Sequence, residues 1–152
     1  MCLYITEHPK QMTAKEDIKC YKVLEAYPTY DKGKIIEGET IYISPYQDMQ
    51  YYLGGTIREE SRVKREYEDE FGEVPMISEG CLHTFTNLDQ AIDFVKQRRY
   101  PLYPVHQEWV VVECIIPKGT KYYEGVTGVP NPRSSYASKV LYVTDNIAYK
   151  TY

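Results

Sequence analysis

The chain lacks what a membrane protein, a secreted mini-protein or a duplex-binding protein would need. No apolar run approaches the roughly 20 residues of a bilayer-spanning helix. The N-terminus does not show the basic-then-apolar order of a secretory signal, so a cytoplasmic protein with no membrane partner is expected. Four cysteines, Cys2, Cys20, Cys81 and Cys114, are scattered without a CxxC pair, which excludes the dense framework of a stapled domain. Cys81 and His83 stand two apart, but no second ligand pair lies near them in sequence, and no metal is assigned. Basic charge is in deficit, with 18 Lys plus Arg against 22 Asp plus Glu and a formal net charge of −4. That balance turns the chain away from duplex nucleic acid. Neither a GxSxG elbow nor an ordered Ser, His, Asp set occurs, so SYAS and the histidines are read as structural for nucleophilic chemistry.

Phenylalanine and tryptophan are also scarce, 3 and 1, whereas tyrosine numbers 17. Tyrosine joins a flat apolar body to a polar tip, which suits half-wet places such as pockets and interfaces. It also favours strands, so the same excess fits a β-rich surface.

The 152 residues are the size of one ordinary domain, and residues 1–152 are expected to form a single one. IKCYKVLEA, Ile18 to Ala26, alternates as a strand does, with Ile18, Cys20, Lys22 and Leu24 on one face. Lys22 is the odd charge on that apolar face. TIYISPY, Thr40 to Tyr46, reads as a second strand, and YYLGG supplies a sharp turn. Ile57 to Phe71 reads as a charged surface helix, because Val63, Tyr67 and Phe71 recur every four residues and Glu60 and Lys64 are an i,i+4 pair. GCLHTF, Gly80 to Phe85, is a short strand. Thr86 and Asp89 then make an imperfect capping box for a second helix, NLDQAIDFVKQRR, with Leu88, Ala91, Ile92 and Val95 as its buried stripe.

A strand from Trp109 to Ile116 breaks at the turn Pro117-Lys118-Gly119-Thr120, KYYEG returns, and the final segment from Tyr136 yields one or two further strands. The expectation is α+β: a compact, largely antiparallel sheet with two inserted helices.

Glu113 interrupts the apolar run WVVVECII and shares a strand face with Trp109, Val111 and Ile115. A carboxylate there is either paired with a cation, for which Lys22, Lys121 or an arginine are the candidates, or is a working group. In the second case a pocket forms around it. Its ligand-binding candidates are Tyr21, Lys22, Tyr46, His83, Thr84, Thr86, Tyr122, Tyr123 and Ser138.

Glu113 to Tyr122, ECIIPKGTKY, resembles the segment following the catalytic glutamate of ADP-ribosyltransferases: an acid, an aliphatic strand, a Pro-x-Gly-Thr turn and an aromatic. Thr84-Phe85-Thr86-Asn87 with Ala91 and Phe94 is similar to that family's Ser-Thr-Ser strand and following helix, and Tyr21-Lys22 to its Tyr-Arg pair. The resemblance implies an enzyme acting on NAD, with Glu113 catalytic, Lys22 contacting the cofactor and Thr84 or Thr86 shaping the site. Lysine replaces the family's arginine, the central serine is lost, and Val111 stands where many members have a second Glu or Gln. A lysine does not reproduce the bidentate grip of a guanidinium.

A second resemblance covers more of the chain. MCLYI, EDIKCYKVL, EGCLHTF, ECIIPKGTKYYEG and SYASKVL, in that order, look together like small uncharacterised proteins of phages and gut-type bacteria. It implies a compact phage-type accessory protein.

Three functions follow as expectations. The first is an accessory binding protein whose Tyr-lined pocket near Glu113 takes a nucleotide-like ligand without a cofactor, for instance to sequester a host signalling nucleotide in an anti-defence role. The second is the NAD-dependent transferase. The third is an interaction or inhibitor domain that uses exposed tyrosines to contact a host protein. Oligomeric state is not encoded in any motif.

Overall fold

The computed structural model describes residues 3–4, 11–45, 49–58, 66–68, 75–77, 82–98, 108–127 and 133–151. In chain order the strands are β1 (Leu3–Tyr4), β2 (Met12–Thr13), β3 (Ile18–Tyr27), β4 (Tyr30–Asp31), β5 (Lys34–Ile35), β6 (Ile41–Ile43), β7 (Gln50–Tyr51), β8 (Gly55–Arg58), β9 (Glu66–Glu68), β10 (Pro75–Ile77) and β11 (Leu82–Phe85). Helix α1 (Leu88–Arg98) precedes β12 (Glu108–Ile116), β13 (Lys121–Thr127), β14 (Arg133–Ser138) and β15 (Val140–Lys150). One sheet runs β8-β15-β12-β3-β11-β14-β13-β1-β10-β9, with β2 added to β13 and the β6/β7 hairpin added to β3. Its pairings are antiparallel.

β3 and β12 form the centre because each is long and buries side chains on both faces. They pair without interruption from Glu108 opposite Ala26 to Ile116 opposite Ile18. On the inner face Cys20, Leu24, Val110, Val112, Cys114 and Ile116 join Leu82, Tyr51, Leu141 and Val143 in the larger core cluster. On the other face Val23, Trp109, Val111 and Phe85 receive α1 through Ala91, Phe94 and Val95. The Phe85 and Phe94 rings meet at 5.4 Å. Each fully buried Val, Leu, Ile or Phe among them contributes about 1.5–3 kcal/mol.

α1 begins where Asn87 Oδ1 accepts the Gln90 amide at 2.9 Å, so the cap is Asn87 rather than the Thr86-led box. Such a cap stabilises a helix by about 1 kcal/mol. Arg133, buried at the start of β14, donates to Asp93 Oδ2 at 2.8 Å and Gln97 Oε1 at 2.6 Å and lies over the Phe94 ring. It fastens the helix to the far half of the sheet.

α1 is the single helix among the described residues, which corrects the expectation of two. The segment read as a helix from Ile57 to Phe71 has Ile57 and Arg58 in β8 and Glu66 to Glu68 in β9; residues 59–65 and 69–71 lie outside the described residues. The competing principle is pairing. Ile57 lies opposite Leu141 and packs against the core, and that tertiary contact outweighs the weak helix preference of a charged segment with a narrow apolar stripe. No helix among the described residues is long and apolar enough to cross a membrane.

Candidate functional site

Alternation along β3, β11 and β12 decides which of the singled-out residues meet. Lys22 and Thr84 share the inner face with Cys20, Cys114 and Ser138, while Tyr21, His83, Glu113 and Tyr123 fall on the other. The Lys22, Thr84 and Glu113 side chains that the transferase resemblance brings together are therefore divided by the sheet. Thr86 lies just beyond β11, its amide bound to the Ser134 carbonyl. Tyr46 lies outside the described residues, as do Cys2 and Cys81.

The inner cluster is a buried polar knot. Lys22 is 5% exposed; its ammonium donates to the His83 carbonyl oxygen at 2.8 Å and lies 5.3 Å from the centre of the Tyr51 ring. Burial lowers its pKa from 10.5 to about 8, against the opposing influence of Cys114 and Cys20. Burial pushes the Cys20 thiol up to about 12 and the Cys114 thiol well above its ordinary value. The Thr84 hydroxyl is near enough to Cys20 to lower that thiol slightly, yet outside full hydrogen-bond geometry. Across the sheet, His83 is held neutral down to about pH 3 by burial and by the Lys22 charge. Its ring nitrogens, like the hydroxyls of Thr84 and Ser138, meet no hydrogen-bonding partner among the described residues. Protonated thiols are poor nucleophiles and poor metal ligands, so the knot is chemically quiet at neutral pH.

Glu113 is a satisfied surface charge. Its side chain is 20% exposed, with Lys19 at 3.7 Å, and the Asn146 amide donates to it at 2.9 Å. The cation is thus Lys19 rather than Lys22, Lys121 or an arginine. A register break in β15 opposite Val112 to Cys114 makes room for this, because Thr144 turns its hydroxyl onto the Glu113 carbonyl oxygen at 2.7 Å. The tyrosines singled out near it are packed rather than gathered: Tyr122 meets Tyr136 edge-to-face at 5.7 Å, and Tyr123 is buried.

An open concavity among the described residues lies beyond the end of β12. A groove of about 460 Å³ is walled by Arg58, Lys118, Lys121 and Lys139, with Thr56, Val140 and the turn residues Pro117, Gly119 and Thr120 completing it. No acid among the described residues is in its wall. The turn beneath it is rigid: Thr120 N–H donates to the Pro117 carbonyl at 3.1 Å, and Gly119 takes φ +87°, which a side chain would strain. Gly119 N–H donates to the Ala14 carbonyl, Ala14 N–H to that of Thr120, and Lys118 N–H to the Asp17 carboxylate at 2.8 Å. The amides of Lys118, Gly119 and Thr120 are all committed, so recognition in the groove falls to side chains. Arg58, Lys118 and Lys121 make no ion pair with a described residue.

The sequence marks Pro117 to Thr120 only as a turn. Its cations meet Arg58 because β8 pairs with β15, setting Arg58 opposite Val140, and no local pattern announces that pairing. No family model, curated protein or solved structure matches the chain.

Proposed function

We propose that the protein acts by binding, and that the Arg58, Lys118, Lys121 and Lys139 groove takes a phosphate-bearing small molecule. The observation that carries this is the gathering of four cations around one concavity, with no acid among the described residues of its wall, in a chain whose formal net charge is −4. Cations gathered around one concavity raise the local positive potential, and an anion entering the groove lowers the mutual repulsion of Arg58, Lys118 and Lys121. The volume falls in the range of small-ligand sites. Sequestering a host signalling molecule, as a phage-type accessory protein would, is the role this reading favours.

The test is a thermal-shift series with pyrophosphate on the wild-type chain and on Lys118→Glu/Lys121→Glu. Binding to the folded state raises the unfolding temperature by mass action. A rise in the wild type that is lost in the variant and shrinks with added salt is expected; no rise at millimolar pyrophosphate refutes the reading.

A further inference from the structure

Tyr142 stands at one end of the basic groove, on the same sheet face. It lies directly opposite Thr56 of the groove wall on one side and Ile115 on the other, and Val140 of the wall is two residues away on its own strand. Tyr142 is 37% exposed, although its strand neighbours Leu141 and Val143 are fully buried. Directly opposed residues have Cβ atoms about 5 Å apart, so Tyr142 stands next to the Thr56 wall, one position beyond the residues that line the groove.

Resting on the phosphate-binding reading, we infer that the groove takes a nucleotide, whose base stacks on Tyr142 while its phosphates lie among Lys118, Lys121 and Lys139. The chain direction fixes this polarity. Tyr142 and Val140 are two residues apart on β15, about 7 Å at strand rise, and Lys139 follows at the bend where the strand begins, so the cations lie beyond the ring by about the length of a ribose and its first phosphate. Arg58, opposite Val140, stands between the two ends, over the sugar and the first phosphate. An aromatic ring at one end and cations at the other is the division of labour by which proteins hold single nucleotides: any base offers a π face, and phosphates answer to charge.

The test is calorimetric titration of pyrophosphate, ribose 5-phosphate, ADP and GDP into the wild type, Tyr142→Ala and Tyr142→Phe. A stacked base adds about ten- to a hundredfold in affinity, so ADP and GDP are expected to bind the wild type that much more tightly than pyrophosphate. Tyr142→Ala should remove the advantage and leave pyrophosphate unchanged; Tyr142→Phe should keep it. Equal affinities for pyrophosphate and nucleotides, or an unaltered ADP affinity in Tyr142→Ala, overturns the nucleotide assignment and leaves the phosphate site standing. If none of the four ligands binds the wild type, the phosphate reading falls as well. A short single-stranded oligonucleotide binding far more tightly than ADP would replace the mononucleotide with an extended strand and also overturns the inference.

Discussion

Lys22 donates its buried ammonium proton to the carbonyl oxygen of His83, 61 residues away in sequence, and no carboxylate among the described residues pairs with it. The charge is held by one hydrogen bond and one aromatic face, against a burial cost that lowers its pKa from 10.5 to about 8. Between those values the unfolded chain binds more protons than the folded one, so stability rises with pH across that window. Lys22→Met removes the titration. Its stability relative to wild type should therefore fall by about 2 kcal/mol between pH 7 and pH 9.5, at about 1.4 kcal/mol per pH unit above pH 8, as measured by urea unfolding at each pH. A gap constant with pH would contradict it. The Cys20 and Cys114 thiols stay protonated in both folded proteins, because burial raises them and loss of Lys22 raises them further.

His83 governs the opposite end of the pH range. Its pKa is depressed from 6.5 to about 3, by burial first and Lys22 second. Below pH 6.5 the unfolded chain takes up a proton that the folded ring refuses, so the stability linked to the neutral ring is complete above pH 6.5 and is lost as pH falls toward 3. His83→Leu has no such proton to take up. The stability difference between variant and wild type should move in the variant's favour from pH 7 to pH 4, read by urea unfolding followed by circular dichroism. A difference that stays constant, or moves toward the wild type, would contradict the buried neutral ring.

Arg133 joins β14 to α1 through Asp93 and Gln97. Its own side chain is buried while Asp93 is 56% exposed, so solvent screens the charge and most of the effect is lost packing and hydrogen bonding. Arg133→Ala should cost about 2 kcal/mol by chemical denaturation, and amide exchange should quicken in residues 88–98 before the central strands.

Glu113→Gln should change little. The Lys19 pair is solvent-exposed on the lysine side and worth at most about 1 kcal/mol, and a glutamine oxygen still accepts from Asn146. Urea unfolding of the variant checks this. A loss clearly beyond that ceiling, or loss of ligand binding, would make Glu113 a working group after all.

The fold is legible in the sequence where the pattern is local. IKCYKVLEA and WVVVECII show strand alternation and form the central strands, and Ala91 and Val95 mark the stripe by which α1 docks. Lys22 is visible as the odd charge on its strand. Two things are not legible. Ile57 to Phe71 offers helical spacing, and only the partner strand β15 reveals that its first residues are sheet. The groove is assembled from Arg58, Lys118, Lys121 and Lys139, whose separation in sequence hides the convergence of Arg58 and Lys139 on the turn. Glu113 is conspicuous because a charge in an apolar run is rare, but the same alternation turns it toward Lys19 and Asn146 at the surface.

Nucleotide binding in the basic groove is read out residue by residue by amide chemical-shift mapping of the ¹⁵N-labelled protein during a titration with ADP. Saturable shifts confined to residues 56–58, 118–121 and 139–142, and suppressed in Lys118→Glu/Lys121→Glu, are the predicted result. Shifts centred instead on Lys22, His83 and Thr84, or around Glu113, or none at saturating ADP and pyrophosphate, would contradict it.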